Sequence, residues 1–261
     1  MKHVFNFSGP CIGLFTMALL AAPSARAAGV DAVLEWSRRV ELSVPISGVI
    51  AQVHVDTGDR VSRGQALLSL DAAPFQAALK QAQALVTQRK LERDDRQRDY
   101  RQAQELYERT VLSTVEFENA RTQQARTEAA YQEAQAILDD RRYRLRVSTL
   151  RAPFDGVVLL RYAQPGQTVA TDLKPPILLV VAAAGEYIAR TRLPAERIAG
   201  LKAGQVVSVQ VQGEKFSAKV KNAGLEPLAQ TSKADAQYEI DVVFETPHVL
   251  RAGQRAIIEI P

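Results

Sequence analysis

The chain is 261 residues long, 46% apolar and 24% charged, with a formal net charge of +4, one cysteine and two methionines. The apolar fraction is enough to fold globular domains, the charge is too small to argue for a nucleic-acid partner, and a lone cysteine excludes an intrachain disulfide.

In chain order, the first feature is a targeting segment. Lys2 and His3 give a short polar start, Gly9 to Ala22 is apolar, and Ala25-Arg26-Ala27 has the small-x-small form read by signal peptidase. Residues 1–27 are therefore expected to be a signal peptide cleaved after Ala27, for an exported protein. An apolar stretch of about 14 residues falls short of the ~20 that a spanning helix needs, so an uncleaved anchor is the minority reading. Cleavage removes Cys11, Met1 and Met17, and with Lys2 and Arg26 it takes the charge from +4 to +2. The remaining chain has no sulfur, which excludes thiolate chemistry and a methionine-based copper or silver site.

Residues 28–43 are expected to hold a strand, Val33 to Leu42, that joins a distant sheet. Two segments then repeat each other. Val44-Pro45-Ile46-Ser47-Gly48-Val49-Ile50 pairs with Ala152-Pro153-Phe154-Asp155-Gly156-Val157-Val158, and the pairs Pro45/Pro153, Gly48/Gly156, Gly58/Gly166 and Val61/Val169 all lie 108 positions apart. Four matches at one offset define a repeat. Each copy reads as strand, turn and strand with one apolar face, the turns centred on Gly58 and Gly166 and with Asp155 a turn former before Gly156. Neither copy can bury its apolar face alone, so the halves at 44–73 and 148–184 are expected to pack as one small β-sandwich.

Between them, 74–147 has no Gly and no Pro after Pro74 and is rich in Ala, Gln, Arg and Glu. These residues lose little rotamer freedom in a helix, so the stretch is predicted to be helical. It breaks once, at Thr110 to Thr114, where Ser113 and Glu116 have capping-box spacing. Two antiparallel helices follow, each about 50 Å long at 1.5 Å per residue. Their seam is thin: Phe117, Gln124, Tyr131, Leu138 and Leu145 on the second arm, with Phe75, Leu79, Ala82, Val86, Tyr100, Ala103 and Tyr107 on the first. Ordering so long a hairpin costs entropy that this seam offsets poorly, which suggests reach toward a partner.

The order of half-motif, helical hairpin, second half-motif containing Ala152-Pro153-Phe154-Asp155-Gly156, and β-rich C-terminal part resembles the periplasmic adaptor family, the HlyD-like membrane fusion proteins of resistance-nodulation-division (RND) efflux systems. The resemblance implies an α+β fold: a long coiled-coil hairpin inserted in a split lipoyl-like β-sandwich, followed by a small β-barrel. True lipoyl domains carry a modified lysine at the turn between their halves. Here the hairpin replaces that turn and Leu70-Asp71-Ala72-Ala73-Pro74 contains no lysine, so a swinging-arm carrier is not expected and no cofactor is implied.

Residues 185–261 fit the same family. Strands are expected at Tyr187–Leu193, Gln205–Val211, Lys215–Ala223, Tyr238–Phe244 and Gln254–Ile260, with a short helix from Pro194 at its first position. With Val33 to Leu42 they would close a six-stranded barrel. The chain stops right after the last strand, so no membrane-proximal domain is expected.

RND adaptors that dock a TolC-like channel carry Arg, Leu and Ser around the hairpin tip, the Leu seven residues before the Ser. Leu106 and Ser113 match, and Leu112 supplies the apolar neighbour; the Arg position is Gln102, with Arg101 beside it. A tip offering the Ser113 hydroxyl, exposed Val111 and Leu112, and nearby Arg109 and Glu118 could pack on a second hairpin tip. The alternative is a capped turn whose two hydrophobes seal the fold.

His54 and His248 stand apart with no companion at ligand spacing, so no metal site is expected, and no catalytic motif occurs. The basic run Arg141, Arg142, Arg144 and Arg146 adjoins Asp139 and Asp140 and reads as a solvated helix end. The chain is expected not to be an enzyme. The resemblance implies an adaptor that oligomerises, as a hexameric funnel in the family, and couples an inner-membrane transporter to a TolC-like outer-membrane channel. A substrate-binding or regulatory protein of the same architecture, or an adaptor of an ABC or MFS system, is the alternative. RND is favoured because the other adaptors more often keep an N-terminal anchor.

Overall fold

The computed structural model describes residues 28–171, 175–228 and 236–260. The expected signal peptide at 1–27 lies outside the described residues. Among these, no helix is long and apolar enough to cross a membrane.

The sandwich is built by exchange between the two halves. β2 (Arg39–Leu42), β9 (Leu179–Ala183), β7 (Gly156–Arg161) and β4 (Arg60–Val61) form one four-stranded sheet, and β6 (Thr149–Arg151), β5 (Ala66–Leu70), β3 (Gly48–Val53) and β8 (Thr168–Val169) form the other. Each short strand leaves its own half: β4 pairs with β7, and β8 pairs with β3. The hydrogen bonds repeat with the sequence. Gly58 N–H donates to Val158 O at 2.8 Å and Gly166 N–H to Ile50 O at 2.8 Å. Both glycines have positive φ, +96° and +83°, a conformation that L side chains resist. Val44, Ile50, Val61, Leu67, Leu68, Ala152, Val158, Val169 and Val181 fill the space between the sheets.

The hairpin leaves from this sandwich. α1 runs from Ala73 to Glu108 and α2 from Thr114 to Val147, within a residue of the expected limits. Asp71 Oδ1 accepts the first free amide, Ala73 N–H, at 3.0 Å. The helices bury only Ala82, Ala103, Ala134 and Leu138 between them. The middle of the seam is polar: Gln124 Nε2 donates to Gln97 Oε1 at 3.0 Å, and the Arg93 guanidinium lies 4.4 Å from the Tyr131 ring centre.

The barrel is closed in the order β1 (Ala28–Trp36), β10 (Glu186–Pro194), β13 (Gln237–Glu245), β12 (Glu214–Ala223), β11 (Val206–Val211) and β14 (Arg255–Ile260). One expectation is corrected. The segment Val33 to Leu42 is not one barrel strand: β1 starts at Ala28 and ends at Trp36, and after Ser37 and Arg38 the chain re-forms as β2 in the sandwich, pairing with β9. The apolar positions Leu34 and Trp36 before the break and Val40 and Leu42 after it keep the same phase, with only Arg38 between, which is why sequence alone joins the pieces. Pro194 also sits one position earlier than expected, as the N-cap of the four-residue α3 (Ala195–Ile198). The barrel interior is filled by Leu34, Tyr187, Val209, Ile240, Phe244 and Ile258.

The hairpin tip as candidate docking surface

Two local motifs set back to back make the tip. At the end of α1, Thr110 N–H donates to Tyr107 O and Val111 N–H to Leu106 O, both at 2.9 Å. With Thr110 at φ +58° this is a Schellman turn, whose left-handed position is usually glycine. A β-branched residue there is strained. No glycine marked the motif in the sequence, so its geometry could not be read there.

The capping box at the start of α2 forms as expected. Ser113 Oγ accepts from Glu116 N–H at 3.3 Å, Ser113 N–H donates to Glu116 Oε2 at 3.1 Å, and the hydroxyl donates to the same oxygen at 2.6 Å. These bonds, the hydroxyl first and the amide second, hold the Glu116 carboxyl below its ordinary value. The hydroxyl proton is therefore engaged inside the tip, and what Ser113 offers outward is a lone pair.

Only five residues, Arg109 to the N-cap Ser113, separate the helices. So short a link turns Val111 outward, 70% exposed, and Val115 in the first turn of α2 is 71% exposed. Sequence reasoning named Leu112 as the second exposed hydrophobe; Leu112 and Leu106 are half-buried, and Val115 takes the exposed place. The signal was available, since Val115 lies outside the seam defined by Phe117. Arg109 is exposed. Glu118, a turn up α2, is exposed and lies 3.5 Å from Arg121.

Behind the tip an aromatic stack fixes the arms. Phe117 lies 4.7 Å from Tyr107 at 10° between planes and 5.8 Å from Tyr100. Stacked rings of this kind contribute about 0.5–1.5 kcal/mol beyond their burial. The result is a rigid end some ten helical turns from the sandwich, by the α-helical pitch, carrying two valines, an arginine and a capped serine. It suits packing on another helical end, and it holds no group placed for acid–base or nucleophilic chemistry.

The repeat residues do different work. Pro45 and Pro153 are exposed bends ahead of β3 and β7. A Cβ on Gly156 would come within 2.2 Å of Ala182 O, whereas one on Gly48 would meet side chains alone, the Leu70 Cδ1 end first at 3.1 Å and then Phe75 Cζ at 3.6 Å. Asp155 is more than a turn former: its Oδ1 accepts Arg63 N–H at 2.7 Å across the two halves.

Comparison with known proteins gives a family match over residues 38–175, more than half of the chain, to the CzcB-like barrel-sandwich hybrid domain. The chain is similar to the macrolide export protein MacA of Yersinia pestis, 26% identical over 87% of this chain and 66% of that protein. It is similar to the efflux pump periplasmic linker BepD of Brucella suis, 27% identical over 55% of this chain and 36% of that protein. It thus spans from about a third to two thirds of the curated relatives' lengths. In fold it is similar to the membrane fusion protein Spr0693 of Streptococcus pneumoniae, with a TM-score of 0.69 at 18% identity, covering 90% of this chain and 98% of that one. It is also similar to a MacA–MexA chimera carrying the Pseudomonas aeruginosa MexA α-hairpin, with a TM-score of 0.64 at 24% identity, covering 88% of this chain and 77% of that one.

Proposed function

The chain belongs to the CzcB-like barrel-sandwich hybrid family, and from that premise we propose that it is a periplasmic adaptor of an efflux system, docking an outer-membrane channel of the TolC type through its hairpin tip. The observation that carries this reading is the outward pair Val111 and Val115 on a short, capped and aromatically braced tip. A tip that only sealed its own fold would turn those valines inward. Substrate passes such a protein without being altered, so its mechanism is connection and sealing.

In this reading the two four-stranded sheets are the lipoyl-like domain, widened by β2 at its start, and the barrel faces an inner-membrane transporter. We favour an RND transporter. The relatives' names span multidrug resistance, macrolide export and an efflux-pump linker, which supports efflux more firmly than any one transporter class. Copies of the chain side by side would form the funnel, six in the family arrangement. The substrate-binding alternative needs an aromatic-lined pocket in the barrel. Among the described residues the barrel aromatics instead pack on one another, Trp36 on Tyr187 at 5.0 Å and Phe216 on Phe244 at 5.2 Å, as core.

The test is substitution of Val111→Asp together with Val115→Asp. Both side chains are exposed, so the fold should survive, while copurification of an outer-membrane channel and efflux-dependent resistance should be lost. Retention of both would remove the tip from the mechanism.

A further inference from the structure

Near the sandwich the two helices leave two separate grooves. One, about 370 Å³, is lined by small and neutral residues including Ala78, Ala82, Leu85 and Ile137, and its single charged residue, Arg141, is paired with Asp140 at 3.1 Å. The other is different in kind. It has a volume of about 630 Å³ and lies between Leu79 of α1, Arg142, Leu145 and Arg146 of α2, and Thr149 and Arg151 of β6.

Three guanidinium groups thus line one groove, and among the described residues only one of them, that of Arg142, has a carboxylate partner. Asp139 is taken by Arg142 at 3.1 Å, and Asp140 by Arg141 and Arg144. From Ala73 to Leu91, α1 contains no Asp or Glu. Among the described residues, Arg146 and Arg151 have no carboxylate partner: Arg146 lies 5.8 Å from the Tyr143 ring centre, and Arg151 Nη1 donates to Gly64 O at 2.9 Å. A guanidinium has five N–H donors in a planar fork, so among the described residues most of the donors here have no protein acceptor and face the groove's solvent. Half-buried Leu79 and Leu145 give the groove an apolar side.

We infer that this groove binds a small amphiphilic anion, a carboxylate or phosphate carried on a short apolar chain. The guanidiniums of Arg146 and Arg151 supply bidentate charge-assisted hydrogen bonds to the oxyanion, a geometry that an ammonium does not match. Thr149 adds a hydroxyl donor, and the apolar chain lies over Leu79 and Leu145. The volume falls within the roughly 300–1,000 Å³ of small-molecule sites. The inference does not rest on the docking role of the tip, which lies at the other end of the helices.

Isothermal titration of the purified protein with octyl phosphate tests it, with inorganic phosphate and octyl glucoside as probes that each carry half of the chemistry. One equivalent of octyl phosphate should bind, at least tenfold tighter than either control. Arg146→Gln with Arg151→Gln should weaken it at least tenfold while the helical circular-dichroism signal is unchanged. The same changes at Arg101 and Arg126, which have no carboxylate partner among the described residues but lie away from the groove, should leave it as it was. Octyl glucoside binding as tightly would reduce the site to apolar contact, and phosphate binding as tightly would reduce it to an adventitious ion only. Equal loss from the Arg101 and Arg126 changes would show a response to net charge alone. Each of these results, like an absence of octyl phosphate binding, overturns the assignment.

Discussion

Asp155 Oδ1 accepts the amide proton of Arg63 at 2.7 Å, and 108 positions earlier in the chain Ser47 Oγ accepts that of Thr171 at 3.1 Å. The repeat thus reaches beyond glycines and backbone to side chains of different chemistry that do the same job, each tying its half to the other. Because the carboxylate is the stronger acceptor, Asp155→Ala should cost about 1 kcal/mol and Ser47→Ala less. Urea unfolding of the two variants gives the comparison.

Gly156 and Gly48 occupy matching places, but their surroundings are unequal. A methyl at 156 meets the Ala182 carbonyl at 2.2 Å, a backbone atom that can move only with β9; at 48 it meets a leucine methyl at 3.1 Å. Overpacking against backbone costs roughly 1–3 kcal/mol, so Gly156→Ala should destabilise the sandwich by about that much and Gly48→Ala by well under half of it. Equal losses would mean that the two halves are packed alike.

At the tip, Thr110→Gly should raise stability by about 1 kcal/mol, since a left-handed L residue costs roughly 1–2 kcal/mol. Ser113→Ala should lower it by about 1 kcal/mol through loss of the cap. Hydrogen exchange of the amides at 114–117 localises both effects. The Glu116 part of the cap depends on pH with a definite sign. Its folded value is depressed by the Ser113 bonds, so its contribution is present above the ordinary carboxylate range and is lost as pH falls through the depressed value. Protection of those amides should fall on acidification, and less so in Glu116→Gln.

In the barrel, the fully buried Tyr187 hydroxyl accepts from Leu250 N–H at 2.8 Å and donates to Leu250 O at 3.2 Å. Burial, opposed by the Leu250 bond, raises the pKa of this phenol, so it stays protonated as the donor. Tyr187→Phe strands both backbone groups of Leu250 and should cost about 1–3 kcal/mol. Trp36, the single tryptophan, packs on Tyr187 with ring centres 5.0 Å apart and planes tilted by 35°. Its fluorescence should therefore report the barrel unfolding earlier in the variant, while circular dichroism follows the hairpin unchanged.

What the sequence made legible follows the range of each interaction. The hairpin limits and the Ser113–Glu116 box are local, written in residues a few positions apart, and the repeat at 108 positions is carried largely by glycines, of which Gly58 and Gly166 are demanded by φ and Gly156 by packing. The exchange of β4 and β8 between halves was not legible, since two-residue strands carry no periodicity. Nor was the division of Val33 to Leu42, where the apolar pattern continues across a change of sheet. The exposed hydrophobes of the tip were read in part: Val111 from its place in the turn, but Leu112 in preference to Val115, because which hydrophobe faces out depends on a left-handed threonine that has no sequence mark.

The central claim, that the tip meets an outer-membrane partner, is tested most directly by crosslinking from Val115→Cys in a chain whose only cysteine, Cys11, is replaced by serine. Position 115 is preferable to 113, whose side chain holds the cap. With a short photoactivatable reagent in intact cells, the account predicts one dominant adduct to an outer-membrane channel, and none from a cysteine at the exposed Leu91 midway along α1. Adducts of equal yield from both positions, or an adduct from Leu91→Cys alone, would contradict it.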